Sequence, residues 1–233
     1  MKTLMIIPGL GSDAAVWQPT IAALDGRVNC LVGNTHGDNS LPGMARRVLD
    51  QAPATFALAG VSMGGMVALE IMRIAPQRVT HLALVDTNAR PDTAGQRAYR
   101  YLSSAVVAIP GLLGRLSASS ARSLVHTSAP PEVRKELAEM GVRVGAKVYI
   151  RQSTAVASRK DQRPVLRTIS IPTVVVVGSD DRITPLNLSQ EIHDLTPGST
   201  FQVLPDCGHL PPIEKPARLA AILLELMMVS STR

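Results

Sequence analysis

The sequence predicts an α/β fold: a mostly parallel sheet of about six strands, helices on both faces, and a helical cap inserted after the fourth strand. Short β-branched or aliphatic runs alternate with longer segments of helical period, the pattern of a parallel sheet covered on both sides. The run Val174-Val175-Val176-Val177 carries valine at every position between Thr173 and Gly178, as a strand without a solvent face should. Between Asn88 and about Ser170 the composition favours helix and offers no convincing strand.

Taken in order, strands are expected at Thr3–Ile7, where an apolar run stops at Pro8-Gly9, then at Val28–Val32, Thr55–Ala59, Val79–Val85, Thr173–Val177 and Thr200–Leu204. Helices are expected between them at about Ala14–Leu24, Pro42–Gln51, Met63–Ala75, Leu186–Leu195 and Pro216–Met228. Ser40 is available to cap the second helix, Pro76 closes the third and Pro216 opens the last. Further helical composition at Ala94–Val107, Ser119–His126 and Pro131–Ser158 is interrupted by Pro110, Gly111, Gly114, Pro130, Gly141 and Gly145. Because this stretch follows a strand, it falls beyond the carboxyl end of the sheet, where ligands bind in open α/β sheets. The chain divides accordingly into a core, residues 1–87 and 171–233, and a cap, residues 88–170.

Composition bounds the function. The chain has 233 residues, 45% apolar and 18% charged, which suits a compact soluble protein and not a disordered or collagenous one. Its net charge of +6 comes from dispersed basic residues, and one Trp, three Tyr and two Phe leave little for stacking bases, so no nucleic-acid partner is expected. Cys30 and Cys207 are too few for a disulfide framework. The apolar start, Met1–Ile7, is too short for a signal-peptide core, and Leu219–Val229 is broken by Glu225 and too short to span a bilayer. The expectation is a cytoplasmic protein, monomer or homodimer, with no membrane partner.

The chemistry concentrates at Gly60-Val61-Ser62-Met63-Gly64, where an apolar strand runs into Gly-x-Ser-x-Gly and an apolar helix begins at once. So sharp a turn brings strand and helix backbones together and holds Ser62 at its tip in strained geometry, near the positive helix N-terminus. A serine hydroxyl needs a base to take its proton and a third group to orient the base. His209, in Asp206-Cys207-Gly208-His209-Leu210, follows the last strand and is the best-placed histidine. His36, His81, His126 and His193 read as structural. The acid is open among Asp180 and Asp181, which follow the all-valine strand, and Asp86, which ends the strand before it.

These motifs resemble the α/β-hydrolase fold family, in which a serine elbow, an acid after a later strand and a histidine after the last strand come in that chain order. Pro8-Gly9-Leu10-Gly11 is similar to the family's oxyanion loop, although the family usually has His-Gly where this chain has Pro8-Gly9. Gly178-x-x-Asp181-x-x-x-Pro185 resembles the acid motif and selects Asp181; Gly208-His209 with Glu214 and Pro216 resembles the histidine loop. The similarity runs from residue 3 to about 225 outside the cap. The family's two leading antiparallel strands have no counterpart, and Pro8 removes a side chain that commonly braces the oxyanion loop. The resemblance implies a serine hydrolase, carboxylesterase-like, with Ser62 as nucleophile, His209 as base, Asp181 as orienting acid, and the backbone N–H groups of Leu10 and Met63 as oxyanion donors. It implies no metal and no organic cofactor.

The expected substrate is a small-molecule ester, lactone or related carbonyl compound with a small to medium acyl group. Trp17, Met66 and Leu210 are candidate apolar neighbours, and Arg97 and Arg100, on the first cap helix, are candidates to hold a carboxylate. The alternatives that the resemblance leaves open are a carbon–carbon bond hydrolase or lyase acting on a carboxylate-bearing substrate, and a small-molecule receptor that keeps the triad with very slow hydrolysis.

Overall fold

A computed structural model describes residues 2–230. Residues 1 and 231–233, the outer ends of the two expected core segments, lie outside the described residues. Six strands form one parallel sheet: β1 (Thr3–Ile7), β2 (Asn29–Val32), β3 (Phe56–Val61), β4 (Val79–Val85), β5 (Thr173–Gly178) and β6 (Thr200–Leu204), in the order β2-β1-β3-β4-β5-β6. The chain leaves β1 for the β2 edge and returns to β3 on the other side. The gap between the carboxyl ends of β1 and β3 is therefore a topological switch point, where open α/β sheets place their ligands.

The four inner strands β1, β3, β4 and β5 are apolar on both sides, and alternate residues serve opposite faces. Met5, Ile7, Leu58, Leu82, Leu84 and Val175 point into one core, packed with α2 (Leu41–Gln51), α3 (Met63–Ile74) and Ile192 of α9 (Leu186–Leu195). Leu4, Ile6, Ala57, Ala59, Val85 and Val176 point into the other, packed with α11 (Pro216–Met228) and partly with α1 (Gln18–Ala23). Among the described residues no helix is long and apolar enough to cross a membrane.

Two elements of the core differ from expectation. The helix expected over Ala14–Leu24 is divided into a 3-10 turn, Ala14–Val16, and α1. Pro19 has no N–H to give a preceding turn, so the helix restarts with proline in its first turn. β3 extends past Gly60 to Val61, held by the ladder to β4 that pairs Gly60 with Leu84 and Val61 with Val85.

Between β4 and β5 lie α4 (Ala94–Ala108), α5 (Leu112–Leu124), α6 (Pro131–Val144), α7 (Ala146–Ala157) and α8 (Arg163–Leu166), with no strand among the described residues there. Thr93 and Gln96 close a reciprocal capping box at the start of α4. α5 begins before the expected Ser119, and Gly145 divides the long helical stretch into α6 and α7. α5 packs on α6 and α4 on α7, while α8 sits against α3 and α9. The short final helix before α11 is α10 (Pro211–Glu214).

Candidate active site

Ser62 occupies the turn between β3 and α3 with φ 56° and ψ −119°. This is an unfavourable backbone for a side chain bearing Cβ, costing on the order of 1–3 kcal/mol. The neighbouring packing holds it there. A Cβ at Gly60 would lie 2.3 Å from Gly64 O, and one at Gly64 would lie 2.1 Å from Ile7 O, both backbone atoms that cannot swing aside. Glycine at both positions lets β1, β3 and α3 touch, and Ser62 N donates to Val85 O at 2.9 Å.

A hydrogen-bonded chain runs from this serine into the protein. Ser62 Oγ lies 2.8 Å from His209 Nε2, and His209 Nδ1 lies 2.8 Å from Asp181 Oδ2. His209 and Asp181 are both buried. Asp181 Oδ1 accepts from the N–H groups of Ile183 and Thr184 at 2.8 and 3.0 Å, and the Thr184 hydroxyl donates to Oδ2 at 2.6 Å. Burial pulls the Asp181 carboxyl upward, but hydrogen bonding and charge from His209, helped by Asp86 and Thr184, outweigh it and hold the group well below the usual carboxylate range. An ionised Asp181 accepts only, so Nδ1 is the ring nitrogen that carries a proton, and the tautomer selected is the one with Nε2 bare towards the serine. That is the tautomer of a base.

The histidine loop is stitched to its surroundings. Glu214 accepts from the N–H groups of Gly208 and Leu210 on either side of His209, both at 3.0 Å, and from His126 N at 2.7 Å. His209 N donates to Leu124 O at 2.7 Å. Imidazole position is thus fixed from its own loop and from the end of α5. The other four histidines bond elsewhere: His81 to Thr80 and Val229, His193 to Ser199, His126 to Ser128 and His36 to Ser12.

Asp86, the alternative acid, has a different place. It ends β4 with φ 41° and is wholly buried. Its Oδ1 accepts from Gly178 N at 3.0 Å, and Oδ2 has no donor among the described residues. An oxygen of Asp86, one of Asp181 and a nitrogen of His209 all lie within 4.8 Å of one another. Burial pushes the Asp86 carboxyl well above its ordinary range, and Asp181 beside it pushes the same way. Two carboxyls so close do not both ionise. The neutral acid is Asp86, which leaves Asp181 as the anion against His209. The same three residues have the donor types of a metal site, but the proton on Nδ1 and its bond to Asp181 occupy the atoms that an ion would need.

Ser62 opens into a cavity of about 220 Å³, at the switch point. Leu10, Met63, Met66, Arg100 and Leu210 line it, as does His209. The N–H groups of Leu10 and Met63 donate to no protein acceptor among the described residues. Trp17 and Arg97 do not line it. Trp17 is fully buried in the sheet core and its indole N–H donates to Ile7 O at 3.3 Å, so it supports the end of β1 and does not face an acyl group. Arg97 turns back to its own helix start and donates from Nη1 to Asp92 O at 2.5 Å.

Sequence reasoning passed over several residues here. Tyr149, Gln96 and Asp92 line the cavity from the helical insertion, where no motif marks them. Gln152 of α7 accepts from Gly11 N at 2.8 Å and donates to Thr35 Oγ1 at 3.0 Å, gripping the loop after β1. It supplies from the insertion a brace for the loop in which Pro8 stands where the family usually has histidine.

With fold and site in view, the family follows. The chain belongs to the alpha/beta hydrolase family, whose model matches residues 4–222. It is 27% identical over 242 residues to the pimeloyl-(acyl-carrier protein) methyl ester esterase of Edwardsiella ictaluri, covering 96% of this chain and 92% of that protein. Among solved structures it is similar to a thermophilic esterase from Thermogutta terrifontis, with malate bound, at TM-score 0.89 and 27% identity, covering 97% of this chain and 89% of that one. The enol-lactonase of Burkholderia xenovorans LB400 shares the fold at TM-score 0.86 and 19% identity, covering 98% and 92%.

Proposed function

We propose that the protein is a serine hydrolase that cleaves carboxylic esters or lactones of small to medium acyl groups through an acyl-enzyme. The observation that carries this reading is the continuous chain Ser62–His209–Asp181, with both links at 2.8 Å, opening on a lined cavity. The esterases among its relatives support the ester linkage as the target.

In the proposed reaction His209 Nε2 takes the proton of Ser62 as Oγ attacks the substrate carbonyl carbon. Asp181 stabilises the resulting imidazolium and keeps its ring oriented. The N–H groups of Leu10 and Met63 receive the oxyanion, each contributing about 3 kcal/mol to the transition state. The tetrahedral intermediate collapses as the carbon–oxygen bond to the leaving alcohol breaks, and His209 returns the proton to that oxygen. Water then attacks the acyl-serine with His209 again as base, which releases the acid and restores Ser62.

Residues 88–170 serve as the cap and residues 1–87 and 171–233 as the core. Gln96 and Arg100 of α4, Ser120 and Leu124 of α5, and Tyr149 of α7 contribute walls of the cavity. At about 220 Å³ it is smaller than the roughly 300–1,000 Å³ of drug-sized sites, which suits a compact acyl chain.

Ser62→Ala tests the reading. Hydrolysis of p-nitrophenyl acetate and butyrate and covalent labelling by a fluorophosphonate should both be lost while the circular dichroism spectrum is kept. Ester cleavage that survives the substitution would remove Ser62 from the mechanism.

A further inference from the structure

The carboxylate and guanidinium side chains that line the cavity are Asp92, Arg100 and Arg159. They form one cluster. Arg100 Nε donates to Asp92 Oδ2 at 2.5 Å, and Arg159 Nη1 donates to Asp92 Oδ1 at 2.6 Å. Asp92 precedes α4, Arg100 lies on α4 and Arg159 follows α7, so the cluster ties the two helices together over the serine. The Asp92 and Arg159 side chains are only 1% and 2% exposed, and Arg100 is 27% exposed.

The cluster is short of one negative charge. Two guanidinium ions share a single carboxylate, and both oxygens of that carboxylate are taken. Arg159 also donates from Nε to Arg90 O and from Nη1 to Val156 O. Its Nη2 and both terminal nitrogens of Arg100 have no acceptor among the described residues. Taking a cation out of water without a full counter-charge is costly, and an arriving anion relieves that cost. Paired guanidinium N–H donors match the two oxygens of a carboxylate better than any neutral group does.

An apolar recess of about 70 Å³ adjoins the cavity, sharing Leu10, Ser120, Leu124 and Tyr149 with it, and is walled by Leu116, Leu137 and Met140. The space around Ser62 is therefore two-ended: cationic towards α4 and α7, and apolar between α5 and α6.

We propose that Arg100 and Arg159 form a carboxylate-binding subsite, and that the substrate is a small ester or lactone bearing one free carboxylate. This rests on the serine-hydrolase reading and narrows its substrate class. The carboxylate completes the charge of the Asp92 cluster, the ester carbonyl lies at Ser62, and the apolar portion enters the recess.

The test compares substrates that differ only in that charge. Monomethyl glutarate is set against its amide, methyl 4-carbamoylbutanoate, and 4-acetoxybenzoate against 4-acetoxybenzamide, so that the carboxylate is tried on the acyl and the alcohol side. The charged member of at least one pair should have a kcat/KM at least tenfold higher. Arg100→Gln and Arg159→Gln should each lower that ratio tenfold or more. Glutarate should raise the melting temperature of the parent protein but not of Arg100→Gln, whereas glutaramide should raise neither. Arg159→Gln empties a buried position; if it fails to fold, Arg100→Gln and the parent's own selectivity decide. Cleavage of the neutral esters with ratios near one and no response to glutarate overturns the subsite while leaving Ser62 as nucleophile. If no ester is cleaved and the fluorophosphonate does not label Ser62, the hydrolase reading fails, and glutarate binding alone then upholds or overturns the anion site.

Discussion

Replacing Asp181 by asparagine keeps the shape of the side chain and removes its charge, and the surrounding hydrogen bonds decide which way the amide turns. Oδ1 accepts from two backbone N–H groups, Ile183 at 2.8 Å and Thr184 at 3.0 Å. Only an oxygen can remain there, so the amide carbonyl of Asp181→Asn takes that place and the NH2 group takes the position of Oδ2. That group then faces His209 Nδ1, which lies 2.8 Å from Oδ2 in the parent. Donor meets donor unless the imidazole gives up its Nδ1 proton. The ring proton therefore moves to Nε2 and points at Ser62 Oγ, 2.8 Å away, where a base must be bare. Catalysis fails through the wrong tautomer while volume and packing are kept. The size of such a loss in a serine triad is about 10,000-fold in turnover. At 1.36 kcal/mol per decade this is about 5.5 kcal/mol of transition-state stabilisation. No substrate contact is removed, so KM should stay within a few-fold. Initial rates on p-nitrophenyl butyrate, with circular dichroism to verify the fold, measure it. A folded variant that retains more than about a tenth of the parent kcat/KM would refute both the proton assignment and the role of Asp181.

Two further substitutions probe the scaffold. Gly64→Ala places a Cβ 2.1 Å from Ile7 O, forcing α3 away from β1; a cost of about 3 kcal/mol and a melting point lower by roughly 6–12 °C are expected, and a shift under 2 °C would contradict the packing argument. Asp86→Asn can keep its oxygen on Gly178 N and turn its NH2 to Asp181, imitating a neutral acid. Because the Asp86 carboxyl titrates higher in the folded than in the unfolded chain, it is protonated in both states at low pH. The unfolded state ionises first, from about pH 4 upward, so the parent loses stability from there towards the raised folded value. Asparagine does not titrate, and the melting temperature of the variant relative to the parent should therefore climb between pH 4 and pH 8. A difference that stays flat or falls would mean that Asp86 is ionised in the fold.

The inner strands of the sheet were legible because they are buried on both faces: Val79–Val85 and the valines of Thr173–Val177 need no partner sequence to identify them. Ser62 was legible for a related reason. An elbow that brings three backbones within contact must write its glycines next to its serine. Asp86 and Asp181 could not be separated on residues alone, since each follows the end of a central strand. What distinguishes them is tertiary: His209, helped by Thr184, holds Asp181 well below the usual carboxylate range, while Asp86 Oδ2 has no donor among the described residues. Trp17 illustrates the opposite problem. An aromatic ring beside a loop has the same local pattern whether it faces a cavity or the sheet, and only the packing of β1 turns it inward. Arg97 and Arg100 are three residues apart on one helix face and both reach Asp92, yet Arg97 spends its guanidinium on a carbonyl and does not line the cavity, whereas Arg100 pairs with the carboxylate and does.

Charge placement links these features into one mechanism. Proton transfer from Ser62 to His209 creates an imidazolium and an oxyanion together, so the net charge of the proposed site does not change during acylation. In the proposed mechanism Asp181 favours the first of these charges and the N–H groups of Leu10 and Met63 favour the second. A second ionised carboxylate beside Asp181 would hold the proton on His209 too firmly and would repel an anionic substrate. A protonated Asp86 limits the Nδ1 side of the imidazole to one negative charge, while Asp92, Arg100 and Arg159 bring two guanidinium ions and one carboxylate to the cavity wall. On the proposed reading an incoming substrate carboxylate would be drawn towards α4 and α7 and away from Asp181, which would leave its ester at the serine. On that reading orientation follows from charge more than from shape, which would let a cavity of about 220 Å³ distinguish substrates of nearly equal size.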